Sequence, residues 1–193
     1  MGIKGSANRQ RIVDAADQLF YSRGYNQTSF SDISDETGIP RGNFYYYFKT
    51  KEDILTAVVE YRVRGFKEML EQITKKASDP RERLLMLASI PVMHEEQLLQ
   101  YGCPTGTLSS ELAKVQNHDA SKSRMTAVFD LLRNWSIVQF KSLGIETRAS
   151  QYSMDLLARL QGISMLANVY QDREFLHRAT DDVRSWINQI TSN

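Results

Sequence analysis

Apolar residues along this chain recur at three- and four-residue intervals, and no stretch alternates apolar with polar residues between hairpin turns, so the pattern predicts an all-α fold. In residues 7–23, Ile12, Ala16, Leu19 and Phe20 share one helical face, and Gly24 stands where a left-handed cap ends a helix. A short polar stretch follows. Ser29 and Asp32 then have the spacing of a capping box, with Asp in place of the usual Glu, and predict a second, short helix that Gly38 closes. Pro40 opens the next segment, where its missing N–H costs nothing, and a third helix follows over 41–48. Thr50 and Asp53 repeat the capping pattern ahead of a long helix over 51–76, which at 1.5 Å per residue spans roughly 39 Å. Asp79 and Pro80 break the pattern before a helix ending near Tyr101 and kinked at Pro91. Beyond Gly102, Pro104 and Gly106, helices are expected over 108–115, 121–143, 148–170 and 175–190, about nine in all. The expected organisation is a helix-turn-helix domain over 1–50, a connecting helix over 51–76 and a larger helical domain over 77–193.

Charge sharpens this picture by what it withholds. The chain of 193 residues has a formal net charge of only +1, and its parts before and after residue 64 carry nine basic against eight acidic and fifteen against fifteen residues. Any binding to nucleic acid must therefore come from where charge is placed rather than from how much there is. A single cysteine, Cys103, leaves no room for an intramolecular disulfide and fits a reducing compartment. With no apolar run long enough to span a bilayer and no apolar leader at the N-terminus, a cytoplasmic protein without membrane partners is expected.

Helix, glycine-containing turn, helix is the unit whose second helix enters the DNA major groove while the first crosses the backbone. Here Ile33, Ile39, Phe44 and Phe48 have the spacing to pin both helices onto Ile12, Leu19 and Phe20. The outward face of the second then carries Arg41, Gly42, Asn43, Tyr46 and Tyr47, with Lys49 and Lys51 just beyond. Arg41 can fork onto guanine, Asn43 can pair with adenine or a phosphate, and Gly42 lets backbone and bases approach. The tyrosines offer hydroxyls to phosphates and rings to thymine methyl groups. Thr28 and Ser29 bring hydroxyls and open backbone N–H groups to a helix N-terminus, a place suited to a phosphate. An aromatic run is more often core than surface, and Phe44 and Phe48, four apart, read as core. Three consecutive tyrosines cannot all face inward on a helix.

The segment 28–55, TSFSDISDETGIPRGNFYYYFKTKEDIL, resembles the TetR family of bacterial regulators: Gly38, Gly42, Phe44, Tyr45, Tyr47, Phe48, Lys51 and Glu52 sit where that family's pattern asks. The resemblance implies that Tyr45 also contacts DNA, that the remaining helices dimerise through a four-helix bundle, and that they enclose a small-molecule pocket. The helices over 121–143 and 148–170 are the candidates for the bundle, with Ala158, Gly162 and Ala167 as small residues for close approach. A homodimer also makes sense of the weak charge, because two recognition helices one turn of DNA apart double the phosphate contacts and read a near-palindromic operator. Met86, Met93, Phe129, Trp135 and Met165 are the candidate pocket residues, although apolar stripes at helical spacing are core more often than ligand site.

Cys103, between Gly102 and Pro104, resembles a cysteine that lies beside the ligand pocket and in some TetR-like regulators senses electrophiles or oxidants, which makes it the sixth candidate pocket residue. The alternative is ordinary packing, since free cysteine is among the most buried residue types. His94, His118 and His177 are widely separated and none has a zinc-site partner, and no nucleotide loop, nucleophile elbow or acid–base pair is present, so neither metal, cofactor nor enzyme activity is expected. Two readings stay open: a repressor released by a small effector, and an architectural or cell-cycle DNA-binding protein with none. An enclosed apolar cavity in the C-terminal part favours the first, a solidly filled core the second.

Overall fold

The computed structural model describes residues 3–113 and 119–192; the side chains of residues 3, 4, 41 and 119–125 lie outside the described set. Among the described residues the chain forms eleven helices and no strand: α1 (Ile3–Arg23), α2 (Phe30–Thr37), α3 (Arg41–Tyr47), α4 (Lys51–Lys76), α5 (Pro80–Ala88), α6 (Ile90–Met93), α7 (Glu95–Tyr101), α8 (Pro104–Leu112), α9 (Asp119–Ser142), α10 (Ala149–Tyr170) and α11 (Arg173–Ile190). The two helices beyond the expected count come from Pro91. Where one kinked helix was expected, the chain breaks into α5, α6 and α7, because Pro91 has no N–H to continue the ladder and the Ser89 N–H tightens instead onto the Met86 carbonyl at 3.2 Å. α1 also begins one turn earlier than expected, and α8 begins at Pro104 rather than 108. Residues 114 and 115 of the expected 108–115 helix lie outside the described residues, as does His118.

The chain divides into two compact units, one formed by the described residues up to Arg64 together with those from Thr107 to Ala127, the other by Gly65–Gly106 and Val128 onward. The first unit, the headpiece, thus takes in residues that lie far along the chain. Its core joins Ile12, Val13, Ala16, Leu19 and Phe20 of α1 to Ile33 of α2, Phe44 of α3, Ile54 and Val58 of α4, and Leu108 and Leu112 of α8. A buried ion pair ties α1 to α4, with Arg62 Nε donating to Asp17 Oδ1 at 2.6 Å.

The second unit is centred on α10 and α11. Leu156, Leu157, Leu160 and Ile163 from α10 and Leu176, Val183 and Ile187 from α11 are buried with Leu84, Leu87 and Phe140. Arginines satisfy backbone carbonyls left open at helix ends: Arg83 donates to the Ala77 carbonyl at 2.9 Å, and Arg184 Nη1 donates to the Leu85 carbonyl at 3.3 Å and to the Ser89 hydroxyl at 2.6 Å beside the α5–α6 break.

Candidate nucleic-acid interface

The helix-turn-helix is held by short-range chemistry. Ser29 caps α2 through a reciprocal box: its Oγ accepts the Asp32 N–H at 3.1 Å while Asp32 Oδ2 accepts the Ser29 N–H at 2.6 Å. Those hydrogen bonds from Ser29 hold the Asp32 carboxyl below its ordinary value near 3.8. At the other end Gly38 sits at φ +63°, in the left-handed region that lets the chain turn toward α3. Inside the turn, Ser34 Oγ donates to the Ile39 carbonyl at 3.0 Å and Thr37 Oγ1 donates to the Ser34 carbonyl at 3.0 Å. From α1, Arg11 Nη2 donates to the Thr37 carbonyl at 2.8 Å, which fixes the turn from the third side.

With Phe44 and Phe48 both buried, as their spacing requires, α3 presents Gly42, Asn43, Tyr45 and Tyr46 to solvent. Tyr46 is 66% exposed. Tyr45 is 52% exposed, its ring stacked on Phe30 at 5.1 Å, so it is splayed outward but braced. Tyr47 differs: it is half-buried, its ring meets Tyr46 edge-on, and its hydroxyl accepts from Asn8 Nδ2 at 3.2 Å. Tyr47 follows Phe44 by three positions, so it leans back toward α1. The outward pair is therefore Tyr45 and Tyr46, not Tyr46 and Tyr47. The side chain of Arg41 lies outside the described residues.

The flanking groups separate in the same way. Ser29 is exposed at its helix N-terminus, whereas Thr28 is only 1% exposed and its Oγ1 donates to the Gly24 carbonyl at 2.8 Å. That hydroxyl is turned inward, a pin for the turn after α1 rather than the outward donor expected of it. Lys49 is exposed, and its ammonium folds back onto the Tyr45 carbonyl at 2.6 Å, capping α3. Lys51 is half-buried with its ammonium 4.1 Å from the centre of the Tyr25 ring. Burial lowers its pKa from 10.5, and the nearby carboxylates of Glu111 and Asp32 work against that shift. Thr50 and Asp53 form the second capping box, with Asp53 Oδ2 accepting the Thr50 N–H at 2.9 Å and Thr50 Oγ1 accepting the Asp53 N–H at 3.0 Å. Sequence reasoning missed Asn8 and Glu111, because no local pattern links them to the residues they hold.

This geometry has close relatives. The family profile described as bacterial regulatory proteins, tetR family, matches residues 12–58. An HTH-type transcriptional regulator from the lacX 3' region of Lactococcus lactis subsp. lactis is 30% identical over 185 residues, covering 94% of each chain. The chain belongs to the TetR family. Solved structures agree in fold: a TetR-family regulator from Cytophaga hutchinsonii superposes with a TM-score of 0.84 at 19% identity over 98% of this chain and 97% of that one. The reduced form of NemR from E. coli superposes with a TM-score of 0.79 at 21% identity over 93% of this chain and 96% of that one. This TetR-family protein is thus a DNA-binding transcriptional regulator, with an N-terminal helix-turn-helix followed by a larger helical part.

In the second unit of this TetR-family regulator the six expected pocket residues differ in exposure. Met93 is 73% exposed and Met165 60% exposed, both on the surface, while Met86, Cys103, Phe129 and Trp135 are half-buried. Met165 lies on the outer face of α10, and Met93 ends the four-residue α6 at the proline break. Trp135 alone of the six lines an open cleft of roughly 400 Å³ between α4 and α9, with Lys67, Leu70, Glu71, Thr74, Lys75 and Leu131. Its indole N–H donates to Thr74 Oγ1 at 3.2 Å. Cys103 Sγ accepts from the Gly106 N–H and from Gln161 Nε2, each at 3.4 Å. No helix among the described residues is long and apolar enough to cross a membrane, and no cluster of metal-ligating side chains was found among them.

Proposed function

We propose that this regulator is a repressor that binds a near-palindromic operator as a homodimer and is released by a small effector. The outward face of α3 carries the reading. Gly42, Asn43, Tyr45 and Tyr46 are exposed over a buried Phe44–Phe48 base, which supports base and phosphate contacts by Asn43, Tyr45 and Tyr46, joined by Arg41. Ser29, Lys49, Lys51 and the flanking backbone serve the phosphates, and Tyr47 and Thr28 act by holding their neighbours. Selection from a random duplex library by the full chain at near-physiological salt tests this. Enrichment of a near-palindrome is the expected result; no enrichment from folded protein free of co-purified ligand overturns it.

The dimer contact is assigned to α10. Met154, Ala158, Met165, Leu166, Val169 and Tyr170 leave an apolar strip exposed there, whereas among the described side chains of α9 Val138 is the one large exposed apolar residue. Ala167, expected in the bundle seam, is fully buried and belongs to the core of its own chain. The α4–α9 cleft, lined in part by Leu70, Leu131 and Trp135, offers apolar surface to a small organic molecule, but it is open rather than the enclosed cavity that would set the effector-released reading above an architectural one.

A second reading rests on Cys103. Two N–H donors converge on its sulfur at the first turn of α8, an arrangement that orients the sulfur and supports a thiol-based sensing role. Cys103→Ser is then expected to bind operator normally but to resist release by a mild electrophile; unchanged release sinks this reading.

A further inference from the structure

Glu111 has no part in the DNA-facing pattern of the sequence, yet it lies among the groups that shape the headpiece. It sits near the end of α8, between Leu108 and Leu112, which are both buried in the headpiece core and so fix the face from which Glu111 projects. Its Oε2 accepts the backbone N–H of Asn26 at 2.8 Å, in the turn that carries the chain from α1 toward the Ser29 cap. Gly24 opens that turn at φ +91°, and a Cβ placed there would stand 2.8 Å from Glu111 Oε1. The turn is therefore shaped to receive this carboxylate. The Lys51 ammonium lies 4.1 Å from the centre of the Tyr25 ring, and Tyr25 stands in the same turn, one residue before Asn26. By holding that turn, the acid also steadies the ring on which the cation at the start of α4 rests.

We propose that Glu111 is a positioning residue for operator binding: it holds the Gly24–Asn26 turn and keeps Lys51 aligned over Tyr25 to meet a DNA phosphate. This rests on the reading of Lys51 as a phosphate contact. Simple charge arithmetic points the other way, because removing an acid from a DNA-binding surface ordinarily strengthens binding to a polyanion. Weakened binding on loss of Glu111 is therefore a signature of positioning.

The test uses the full chain and an operator recovered by selection, with dissociation constants measured across a salt series for wild type, E111Q, E111A, K51M and the E111A/K51M pair. Thermal unfolding confirms that each variant is folded. K51M alone examines the underlying reading and should lower the slope of log affinity against log salt by about one. E111A should weaken binding about tenfold. E111Q, which keeps an oxygen for the Asn26 N–H but loses the charge near Lys51, should fall between it and wild type. In the K51M background, E111A should cost at most about threefold, because part of its effect runs through Lys51. Binding by E111A or E111Q that equals or exceeds wild type overturns the proposal, and so does a loss from E111A that is the same in both backgrounds. A K51M protein with unchanged affinity and slope overturns the reading of Lys51 itself, a failure that the E111 variants in the Lys51 background do not produce.

Discussion

The headpiece and the second unit are built from the same material, amphipathic helices around an aliphatic core, yet they turn opposite faces to solvent. The headpiece buries its aromatic base and exposes a polar and aromatic helix, α3, which follows a turn made by a left-handed glycine and is set between α2 and α4, whose N-termini are fixed by capping boxes. The second unit exposes an apolar strip along α10 and a cleft with lysines at its rim. A DNA-reading face must be specified side chain by side chain, so local chemistry fixes it tightly. A face for another copy of the chain or for a small molecule needs only apolar area of the right shape, and many sequences supply that.

The sharpest way to break this contrast is to destabilise one unit at a time. Phe44→Ala removes a fully buried ring and should cost about 3–5 kcal/mol. Calorimetry should show an early loss of the headpiece with operator binding abolished, while Leu156→Ala should act on the second unit by a comparable amount. If both variants melt in one shared transition, the two units are a single cooperative body. Breaking the ion pair by Asp17→Asn leaves the buried Arg62 guanidinium without its charged partner and should cost about 2 kcal/mol by chemical denaturation.

The exposed faces come next. Tyr46→Ala should leave stability within about 0.5 kcal/mol of wild type and weaken operator binding about tenfold in a fluorescence titration. A fall in stability without a fall in affinity would place Tyr46 in the scaffold. Met165→Glu with Val169→Glu should convert dimer to monomer in sedimentation velocity while the helical signal stays unchanged. A dimer that survives both charges assigns the contact elsewhere.

The smallest effects belong to the cap. Ser29→Ala should cost about 1 kcal/mol. Because the Asp32 pKa is lowered in the folded chain, its stabilising contribution is complete above the ordinary value near 3.8 and is lost as pH falls through the lower folded value. Asp32→Asn should therefore flatten the acid limb of the stability profile and leave the neutral region nearly as it is in the Ser29→Ala protein.

The features readable in the sequence were those whose causes lie within a few residues. The boxes at Ser29 and Thr50, the left-handed glycines 24 and 38, and the buried Phe44–Phe48 pair each need only local spacing, and each is in place. Pro91 was legible as a disruption but not as a full break into three helices, because that depends on what covers the freed carbonyls. The inward lean of Tyr47 depends on Asn8, and the inward hydroxyl of Thr28 depends on the carbonyl of Gly24, neither of which a helical wheel contains. Met93 and Met165 lie on the surface for the same reason: hydropathy marks them as apolar without saying which side of their helices the rest of the chain will cover.

The meeting of Gly24 with Glu111 has a consequence for descent. A side chain at 24 must displace the carboxylate and also adopt a φ of +91°, and a shorter residue at 111 leaves the Asn26 N–H unclaimed, so each position is penalised for change on its own account. Two positions far apart in the chain should therefore be kept together among related genes. Where the glycine persists, the long acid is expected to persist with it.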